Sequence, residues 1–193
     1  MDITPTQVNM LIRKRRSVFP KTYNSKPISR EIVEEILENA NWAPTHKLTE
    51  PWRCKVIMGN GLLRLGNFLS SNYKENTAKD IFSEIKYSKL KNNLLKAACI
   101  IAICMKRDEE ERIPEWEEIA AVACAVQNMY LTCTAHGIGC YWSTPKPALE
   151  AEEFFGLQRG ERCLGLFYMG YHDMPDIPGK RDPVANKTTW ILQ

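Results

Sequence analysis

An uninterrupted apolar run in the middle of the chain limits the possible folds more than any other feature of the sequence. Residues 97–105 contain nine apolar side chains in succession and no polar one. The run is much shorter than the roughly 20 residues of a membrane-spanning helix, and it is typical of a strand that is buried on both faces. The sequence therefore predicts a chain that folds around a buried strand and does not enter a membrane.

A long helix is predicted soon after the buried strand. Residues 106–112 are charged and should form an exposed loop, and residues 115–135 follow as the longest helix, which Gly137 ends. This helix carries a run of small side chains at residues 120–125. Small side chains let a second helix approach closely, which is compatible with a core position or with a dimer interface.

The other predicted elements form a mixed pattern of helices and strands. Two helices are expected near the N-terminus, the first capped by Thr4 and running into residues 13–17, the second following Ser29 and ending before Pro44. Further helices are predicted at 62–69, 81–95 and 147–155, and further strands at 53–58, 138–143, 163–169 and 188–192. The lack of steady alternation favours α+β layers over a doubly wound sheet. A chain of 193 residues fits one domain, residues 1–193.

The composition excludes several other classes of protein. Hydrophobic residues make up 44% and charged residues 25%, as in an ordinary globular protein, and the formal net charge is only +3. This charge is too weak to indicate a nucleic-acid-binding protein, although it mildly favours an anionic ligand such as a nucleotide phosphate. The N-terminus does not have the pattern of a signal peptide, so we expect a cytoplasmic protein.

The cysteines and histidines do not indicate a metal site. The chain has seven cysteines, an odd number, and none belongs to a C-x-x-C pair. Most lie in apolar segments, and we interpret them as free thiols that serve as small core residues. The three histidines, His46, His136 and His172, are too dispersed to predict a metal cluster.

Two basic motifs lie near opposite ends of the chain. Arg15, Arg16 and Ser17 follow the first helix, and guanidinium forks with a neighbouring hydroxyl suit a phosphate group. The same residues are also compatible with a solvated helix end, where the helix dipole favours positive charge. Lys180 and Arg181 lie in a proline-rich tail, which could carry them back to a distant site or leave them in solvent.

A rigid loop follows the second helix. It contains Trp42, Pro44, Thr45 and His46, and loops of this kind commonly carry function. Its aromatic side chains could form a wall against a flat ligand. The alternative is a turn whose tryptophans fill the core.

A second aromatic motif ends the strand predicted at residues 138–143. Trp142, Ser143 and Thr144 stand there, just before a proline-rich stretch. Because proline has no N–H group, a backbone donor to a ligand has to come from Ser143, Thr144 or Lys146. The alternative is an ordinary buried strand in which Trp142 fills the core.

The order of these motifs resembles that of the nitroreductase superfamily, and most closely its compact, YdjA-like branch. The shared order is Arg-Arg-Ser after the first helix, Ala-Pro-Thr-His and Pro-Trp after the second, Gly-Ile-Gly after the small-residue helix, and Lys-Arg in the tail. The resemblance covers essentially the whole chain. It implies an α+β, nitroreductase-like three-layer fold with a central mixed, mostly antiparallel sheet of about five strands flanked by helices. It also implies a homodimer across which the C-terminal segment is exchanged.

The resemblance also implies a cofactor and its binding residues. In the family, FMN lies at the dimer interface, where Arg15, Arg16 and Ser17 would hold its phosphate and ribityl chain. The tail residues Lys180 and Arg181 would reach the same phosphate. Residues 42–46 would approach the flavin from the partner subunit, and residues 142–144 would lie against its ring.

The implied function is that of an FMN-dependent NAD(P)H oxidoreductase. By resemblance, it passes electrons in a ping-pong mechanism to a small organic acceptor such as a nitroaromatic compound or a quinone. The flavin carries the chemistry, so no dedicated catalytic side chain and no metal is expected. The alternatives are a flavin carrier or sensor without turnover, and a nucleic-acid-binding module that uses residues 13–16.

Some positions depart from the family pattern. Glu50 stands where the family often has glutamine, and Val18 and Phe19 stand where a basic residue is often found. Phosphate binding would therefore depend more on the basic residues of the tail. The Glu50 carboxylate could disfavour anionic substrates. Residues 67–93, the expected substrate-gating segment, do not indicate a particular acceptor or a choice between NADH and NADPH.

Overall fold

The computed structural model describes residues 2–176 and 178–192, and its helices and strands are interleaved along the chain. The α-helices are α1 (Pro5–Lys14), α2 (Arg30–Asn41), α3 (Asn60–Glu75), α4 (Glu84–Asn92), α5 (Glu115–Ala135), α6 (Lys146–Leu149) and α7 (Glu152–Phe155). The strands are β1 (Trp52–Met58), β2 (Cys99–Lys106), β3 (Ile138–Ser143) and β4 (Glu161–Tyr171). Within these residues, no helix has the length and apolar character needed to cross a bilayer.

The strands form one sheet in the order β1-β2-β4-β3, and each neighbouring pair is antiparallel. The apolar run at residues 97–105 supplies β2, whose residues from Cys99 to Met105 are all buried. A strand that is central and covered on both faces needs such a run, because both sets of its side chains enter a core. The only parallel pairing that the described residues show is the isolated bridge between Ser17 and Cys140.

The sheet separates two apolar cores, and helices cover both. Alternate residues of β4 face opposite sides, so that Phe167 enters one core and Leu166 the other. The Phe167 side is covered by α2 and α5 through Ile36 and Met129. The Leu166 side is covered by α3, α4, α6 and α7, with Leu65 at its centre. The predicted α+β, three-layer fold is confirmed.

Helix α1 begins as the sequence predicts but buries none of its side chains. Thr4 and Gln7 form a complete capping box at its start. Of its apolar residues, Leu11 is half-buried, whereas Val8, Met10 and Ile12 are exposed, Met10 to 62%. Since an amphipathic helix is stabilised by covering its apolar face, α1 presents a face that its own chain leaves open.

The tail differs from the prediction of a final strand. Residues Val184–Lys187 form a short 3-10 helix, and residues 188–192 have no regular structure. Trp190, Ile191 and Leu192 are each at least 80% exposed. A strand needs a neighbour to receive its backbone hydrogen bonds, and this segment does not pair with the edge strands β1 and β3 of its own chain. The sheet therefore has four strands in the described residues, where about five were expected.

Several smaller boundaries also differ from the prediction. The helix predicted at 62–69 extends over the whole of α3, and the helix predicted at 81–95 is shortened to α4, which Ser83 caps. Residues 67–93 thus comprise the second half of α3, a connecting loop and α4. The prediction of free core thiols is confirmed for most cysteines, although Cys54 is only partly buried and Cys124 is exposed on α5.

Candidate functional site

The segment that follows α1 lies alongside β3. The backbone N–H of Val18 donates a 3.0 Å hydrogen bond to the carbonyl of Cys140, next to the bridge between Ser17 and Cys140. This pairing carries Arg15, Arg16 and Ser17 along the strand that ends in residues 142–144. The structure therefore brings together two of the motifs that the sequence singled out, although they lie more than a hundred residues apart in the chain.

Tyr130 on α5 connects these two motifs. The Arg15 guanidinium lies 5.2 Å from the centroid of the Tyr130 ring, a distance at which cation and ring attract each other. The Tyr130 hydroxyl accepts a 2.7 Å hydrogen bond from the backbone N–H of Trp142. Burial raises the pKa of Tyr130, and hydrogen bonds with the Ser17 side chain and the Trp142 backbone oppose that rise. The phenol is thus a neutral bridge between Arg15 and β3.

Tyr130 was not among the residues predicted from the sequence. It lies within the longest helix, and nothing in the spacing of that helix distinguishes it from the neighbouring core positions. Its importance arises from contacts with residues far away in the chain, on the segment after α1 and on β3. No local pattern could have indicated it.

The proline-rich tail returns to the end of α1. The Nζ atom of Lys14 lies 3.3 Å from Oδ2 of Asp176. Gly179 lies so close to the Arg16 guanidinium that a Cβ atom added to it would overlap the guanidinium. Lys180 and Arg181 follow immediately and are exposed. The tail segment that carries Lys180 and Arg181 therefore lies next to Arg16.

The end of β3 is packed against a bulge in β4. Gly165 has φ +131°, a conformation that favours glycine. A Cβ atom at this position would lie 2.5 Å from the carbonyl oxygen of Ser143 and 2.6 Å from Nε1 of Trp142. The Trp142 Nε1 atom is buried and has no hydrogen-bond partner within residues 2–176 and 178–192. Ser143 is half-buried and Thr144 is exposed.

The loop after α2 lies elsewhere, at the start of α5. Trp42 is 79% exposed, and its Nε1 donates a 3.1 Å hydrogen bond to Glu38. The Nδ1 atom of His46 is 2.6 Å from Oε2 of Glu117, on the first turn of α5. Pro44 is exposed and Thr45 is half-buried. The interpretation of Trp42 as core filling is therefore excluded.

The same loop has a strained backbone. Lys47, Leu48 and Glu50 have φ values of 49°, 53° and 40°, in the left-handed region that side chains other than glycine rarely adopt. Such strain costs free energy and is concentrated at functional segments. Leu48 is 80% exposed, so the strain does not serve to bury this apolar side chain within the chain.

A network of charges at the start of α5 holds the loop in place. The buried carboxylate of Glu118 pairs with Arg107 and accepts a 2.8 Å hydrogen bond from the backbone N–H of Asp108. Hydrogen bonds from Arg112 lower the pKa of Asp108 to about 2. The Nζ atom of Lys47 in turn donates to the carbonyl of Arg112 at 3.1 Å. The loop is thus tied to a fixed, ionised framework.

The two groups of predicted site residues lie at opposite ends of α5. At a rise of 1.5 Å per residue, the part of the helix between Glu117 and Tyr130 is about 20 Å long. One chain therefore does not bring residues 42–46 to the cluster formed by Arg15, Tyr130 and Trp142. We refer to that cluster, with Arg16, Ser17 and the returning tail, as the basic site, and to residues 42–50 as the strained loop.

The three-layer arrangement with these features defines the nitroreductase-like fold. A nitroreductase-like family protein from Bacillus cereus superposes with a TM-score of 0.81 over 100% of both chains, at 29% sequence identity. A Desulfovibrio desulfuricans protein, provisionally named a nitroreductase and crystallised with FMN, has a TM-score of 0.73 at 24% identity and covers 100% of this chain and 98% of its own.

The family follows from the sequence. The Nitroreductase family model matches residues 12–171, and the chain belongs to the Nitroreductase family. YfhC of Bacillus subtilis is 30% identical over 93% of this chain and 91% of its own length, and YdjA of Escherichia coli is 31% identical over 72% and 75%. Both carry the provisional name NAD(P)H nitroreductase. The predicted family and the predicted oxidoreductase class are confirmed.

Proposed function

We propose that this protein is an FMN-dependent NAD(P)H oxidoreductase that works as a homodimer and reduces a small organic acceptor. The observation that carries the proposal is the convergence of Arg15, Arg16 and Ser17 with the end of β3 and the returning tail. Membership in the Nitroreductase family and the names of the relatives support the same activity.

The basic site fits the phosphate of FMN. Guanidinium groups and a serine hydroxyl are suited to phosphate oxygens, and Arg15, Arg16 and the exposed Ser17 offer these groups side by side. Lys180 and Arg181 add positive charge from the tail. Since Gly179 has no side chain, the tail can approach Arg16 closely.

The end of β3 fits the flavin ring. A buried indole N–H is only a donor, and leaving it without an acceptor costs about 1–3 kcal/mol. The buried and unpartnered Trp142 Nε1, within the part of the chain that the structure describes, would therefore favour an acceptor atom of a ligand beside it. Ser143 and Thr144 would offer backbone N–H groups to the ring from the same strand end.

FMN, when bound, supplies the chemistry of accepting a hydride from NAD(P)H and passing two electrons to an acceptor in a second half-reaction. The residues of this chain position the cofactor and stabilise charge. Arg15 and Arg16 would hold the phosphate, and Tyr130 would keep β3 in register beside it. No dedicated acid or base is assigned.

A second copy of the chain would complete the site. The strained loop, with Trp42, Pro44, Thr45 and His46, lies about 20 Å from the basic site of its own chain and would reach the flavin bound to the partner subunit. The exposed apolar faces of α1 and of residues 190–192 are surfaces that a partner would cover. The tail would pack across this interface, where its unpaired backbone groups would form hydrogen bonds with the partner subunit.

The remaining predictions belong to the same proposal. We expect residues 1–193 to act as a single domain in the cytoplasm. We expect small molecules, and neither nucleic acid nor a membrane, as the protein's partners apart from its own second copy.

The test is a spectrum of the freshly purified protein. We expect a yellow protein whose visible flavin absorbance disappears when NADH or NADPH is added without oxygen and returns when a nitroaromatic compound or a quinone is added. A colourless protein that FMN does not reconstitute would refute the proposal. A protein that binds FMN but is not reduced by either nicotinamide would be a flavin carrier or sensor.

A further inference from the structure

Two cysteines face each other across the central strands. Cys104 on β2 and Cys163 on β4 are directly opposite in the antiparallel register, at the β-bulge where the pairing shifts. Both side chains enter the core on the Leu166 side of the sheet, and both are buried and unbridged. We call them the thiol pair.

The backbone spacing of the thiol pair suits a disulfide. Directly opposed residues of antiparallel strands have Cα atoms about 4.5–5.5 Å apart, and disulfides form across Cα separations of about 4.4–6.8 Å. Each thiol donates to a backbone carbonyl of its own strand, Cys104 Sγ to Ala102 at 3.8 Å and Cys163 Sγ to Gly165 at 3.6 Å, and the backbone spacing does not depend on these weak bonds. A bond between the sulfurs would therefore need little movement of the strands.

The two thiols are not equivalent. The pKa of Cys163 is lowered by its interaction with the neighbouring Cys104 thiol and by the backbone N–H of Gly165, which donates to its sulfur at 3.4 Å. The same interaction with Cys163, together with burial, raises the pKa of Cys104. Cys163 is thus the one that more readily becomes a thiolate, and the thiolate is the nucleophilic form of cysteine. Cys104 retains its proton and is the second thiol, the one that would react with oxidised Cys163.

A second buried pair offers a contrast within the same chain. Cys133 on α5 is close to Cys140 on β3, but its Sγ donates to Sδ of Met169 at 3.6 Å. Burial raises the pKa of Cys133 well above its usual value. The interaction with Cys140 raises it further, and the backbone N–H of Cys133 opposes this rise only weakly. This pair therefore has no comparable support for a thiolate.

We propose that Cys104 and Cys163 are a redox-active pair that hydrogen peroxide converts into a disulfide linking β2 to β4. The Cys163 thiolate attacks one peroxide oxygen, breaks the O–O bond and becomes a sulfenic acid, and one water leaves. Cys104 then attacks the sulfenic sulfur, forms the S–S bond and releases a second water. Two thiols are oxidised and one peroxide is reduced to two waters.

The thiol pair lies close enough to the end of β3 for a disulfide to influence the basic site. Gly165, which donates to Cys163, also packs against Ser143 and Trp142 at the end of β3. Both cysteines lie two residues from the same end of the sheet, where Lys106 pairs with Glu161. The proposal does not depend on FMN and can be tested on the protein without cofactor.

The experiment uses a Cys124→Ser background, because Cys124 is the exposed thiol on α5 and would otherwise link two molecules. The folded protein is treated with hydrogen peroxide, the remaining thiols are alkylated in denaturant, and the mass and the peptide map are recorded. We expect the oxidised protein to carry two fewer alkyl groups than the untreated protein, because one disulfide protects two thiols, and we expect a peptide in which Cys104 is joined to Cys163. Dithiothreitol should reverse both.

Three matched variants in this background sharpen the test. Cys104→Ala and Cys163→Ala should each abolish the linked peptide, and Cys104→Ala should instead leave Cys163 as a sulfenic acid that dimedone traps. Cys133→Ala, in an equally buried thiol, should leave the linkage unchanged. Circular dichroism checks that each variant is folded. Because Cys104→Ala and Cys163→Ala test the pair independently, the test remains possible if one of them does not fold.

Two results would overturn the proposal. One is that peroxide gives no peptide joining Cys104 to Cys163 in the Cys124→Ser protein that carries no other substitution. The other is a linkage that forms equally well between Cys133 and Cys140, because burial rather than the hydrogen bonds around Cys163 would then control reactivity. Neither result bears on the flavin spectrum, so the two proposals fail separately.

Discussion

The basic site and the strained loop are built in opposite ways, although α5 supports both. At the basic site, Tyr130 on α5 contacts both Arg15, which follows α1, and the backbone N–H of Trp142 on β3, the latter at 2.7 Å. In the strained loop, three residues have left-handed backbone angles while Trp42 and Leu48 are exposed to solvent. The chain therefore holds both regions in place, but the strained loop keeps left-handed backbone angles and exposed apolar side chains that the basic site does not have.

The difference indicates which part of the site each chain can complete alone. Strain and exposed apolar surface persist in a protein when another interaction compensates them. For the strained loop, the compensation that we propose is contact with the second subunit. The basic site, by contrast, is expected to keep its arrangement in a lone subunit and to lose only the coverage of its ligand.

The largest effect is expected from Met10→Asp on α1. Because Met10 is 62% exposed in the chain, the substitution should not disturb the isolated subunit, but it would bury an unpaired charge in the dimer. We expect a monomer by sedimentation and roughly 100-fold or greater loss of FMN affinity.

Asn9→Asp is the control, since it adds the same charge at the neighbouring polar position of α1. It should remain dimeric and bind FMN. If the Met10→Asp monomer bound FMN as tightly as the wild type, the strained loop would not be part of the flavin site.

The next largest effect is expected from Arg15→Ala, which touches only the basic site. Loss of one charge-assisted hydrogen bond to phosphate should weaken FMN binding by about 1–3 kcal/mol, measured by fluorescence titration. Arg13→Ala, a change of the same kind on the exposed side of α1, should leave the affinity within about twofold. Equal losses in both variants would mean that net charge, and not the position of Arg15, determines binding.

A smaller effect is expected from Tyr130→Phe. The ring would still lie under Arg15, but the Trp142 N–H group would lose its acceptor, which should lower the free energy of unfolding by about 1 kcal/mol. Urea denaturation measures this change. Tyr171→Phe, which removes a hydroxyl elsewhere, is the control. If Tyr130→Phe left the free energy of unfolding unchanged, the Tyr130 hydroxyl would not link α5 to β3.

The smallest effect is expected from Asp108→Asn in the framework that holds the strained loop. The folded-state pKa of Asp108 is about 2, below the ordinary value of 3.8. A lowered pKa stabilises the folded state above the ordinary value, and this stabilisation is lost as the pH falls through about 2. We therefore expect Asp108→Asn to lower Tm slightly at neutral pH, with the difference from wild type shrinking as the pH falls from about 4 towards 2. A difference that does not depend on pH would contradict this assignment.

Most of the fold could be predicted because its signals are local. The capping residue Thr4, the apolar run at 97–105 and the glycine after α5 each mark an element from its own sequence. The prediction of a strand at residues 188–192 was wrong for the single chain, and the reason is related. Its apolar, β-branched residues favour a strand, but a strand forms only where a neighbour exists, and local sequence does not report on neighbours.

The candidate site was predicted in parts but not as an arrangement. Short motifs indicated the chemistry of Arg15, Arg16, Ser17 and residues 142–144, because guanidinium, hydroxyl and indole groups have known preferences. Their roles in FMN binding stay predictions. Tyr130 and the thiol pair carried no such signal, since each depends on a contact between distant segments.

The sequence by itself determined most of the elements, the buried central strand and the family, because periodicity, caps and motif order can be read along the chain. Only the tertiary structure decided that the two groups of site residues lie at opposite ends of α5, and that Cys104 faces Cys163 across the sheet. The physical reason is that distance and register arise from packing. Packing joins residues that the linear sequence keeps apart.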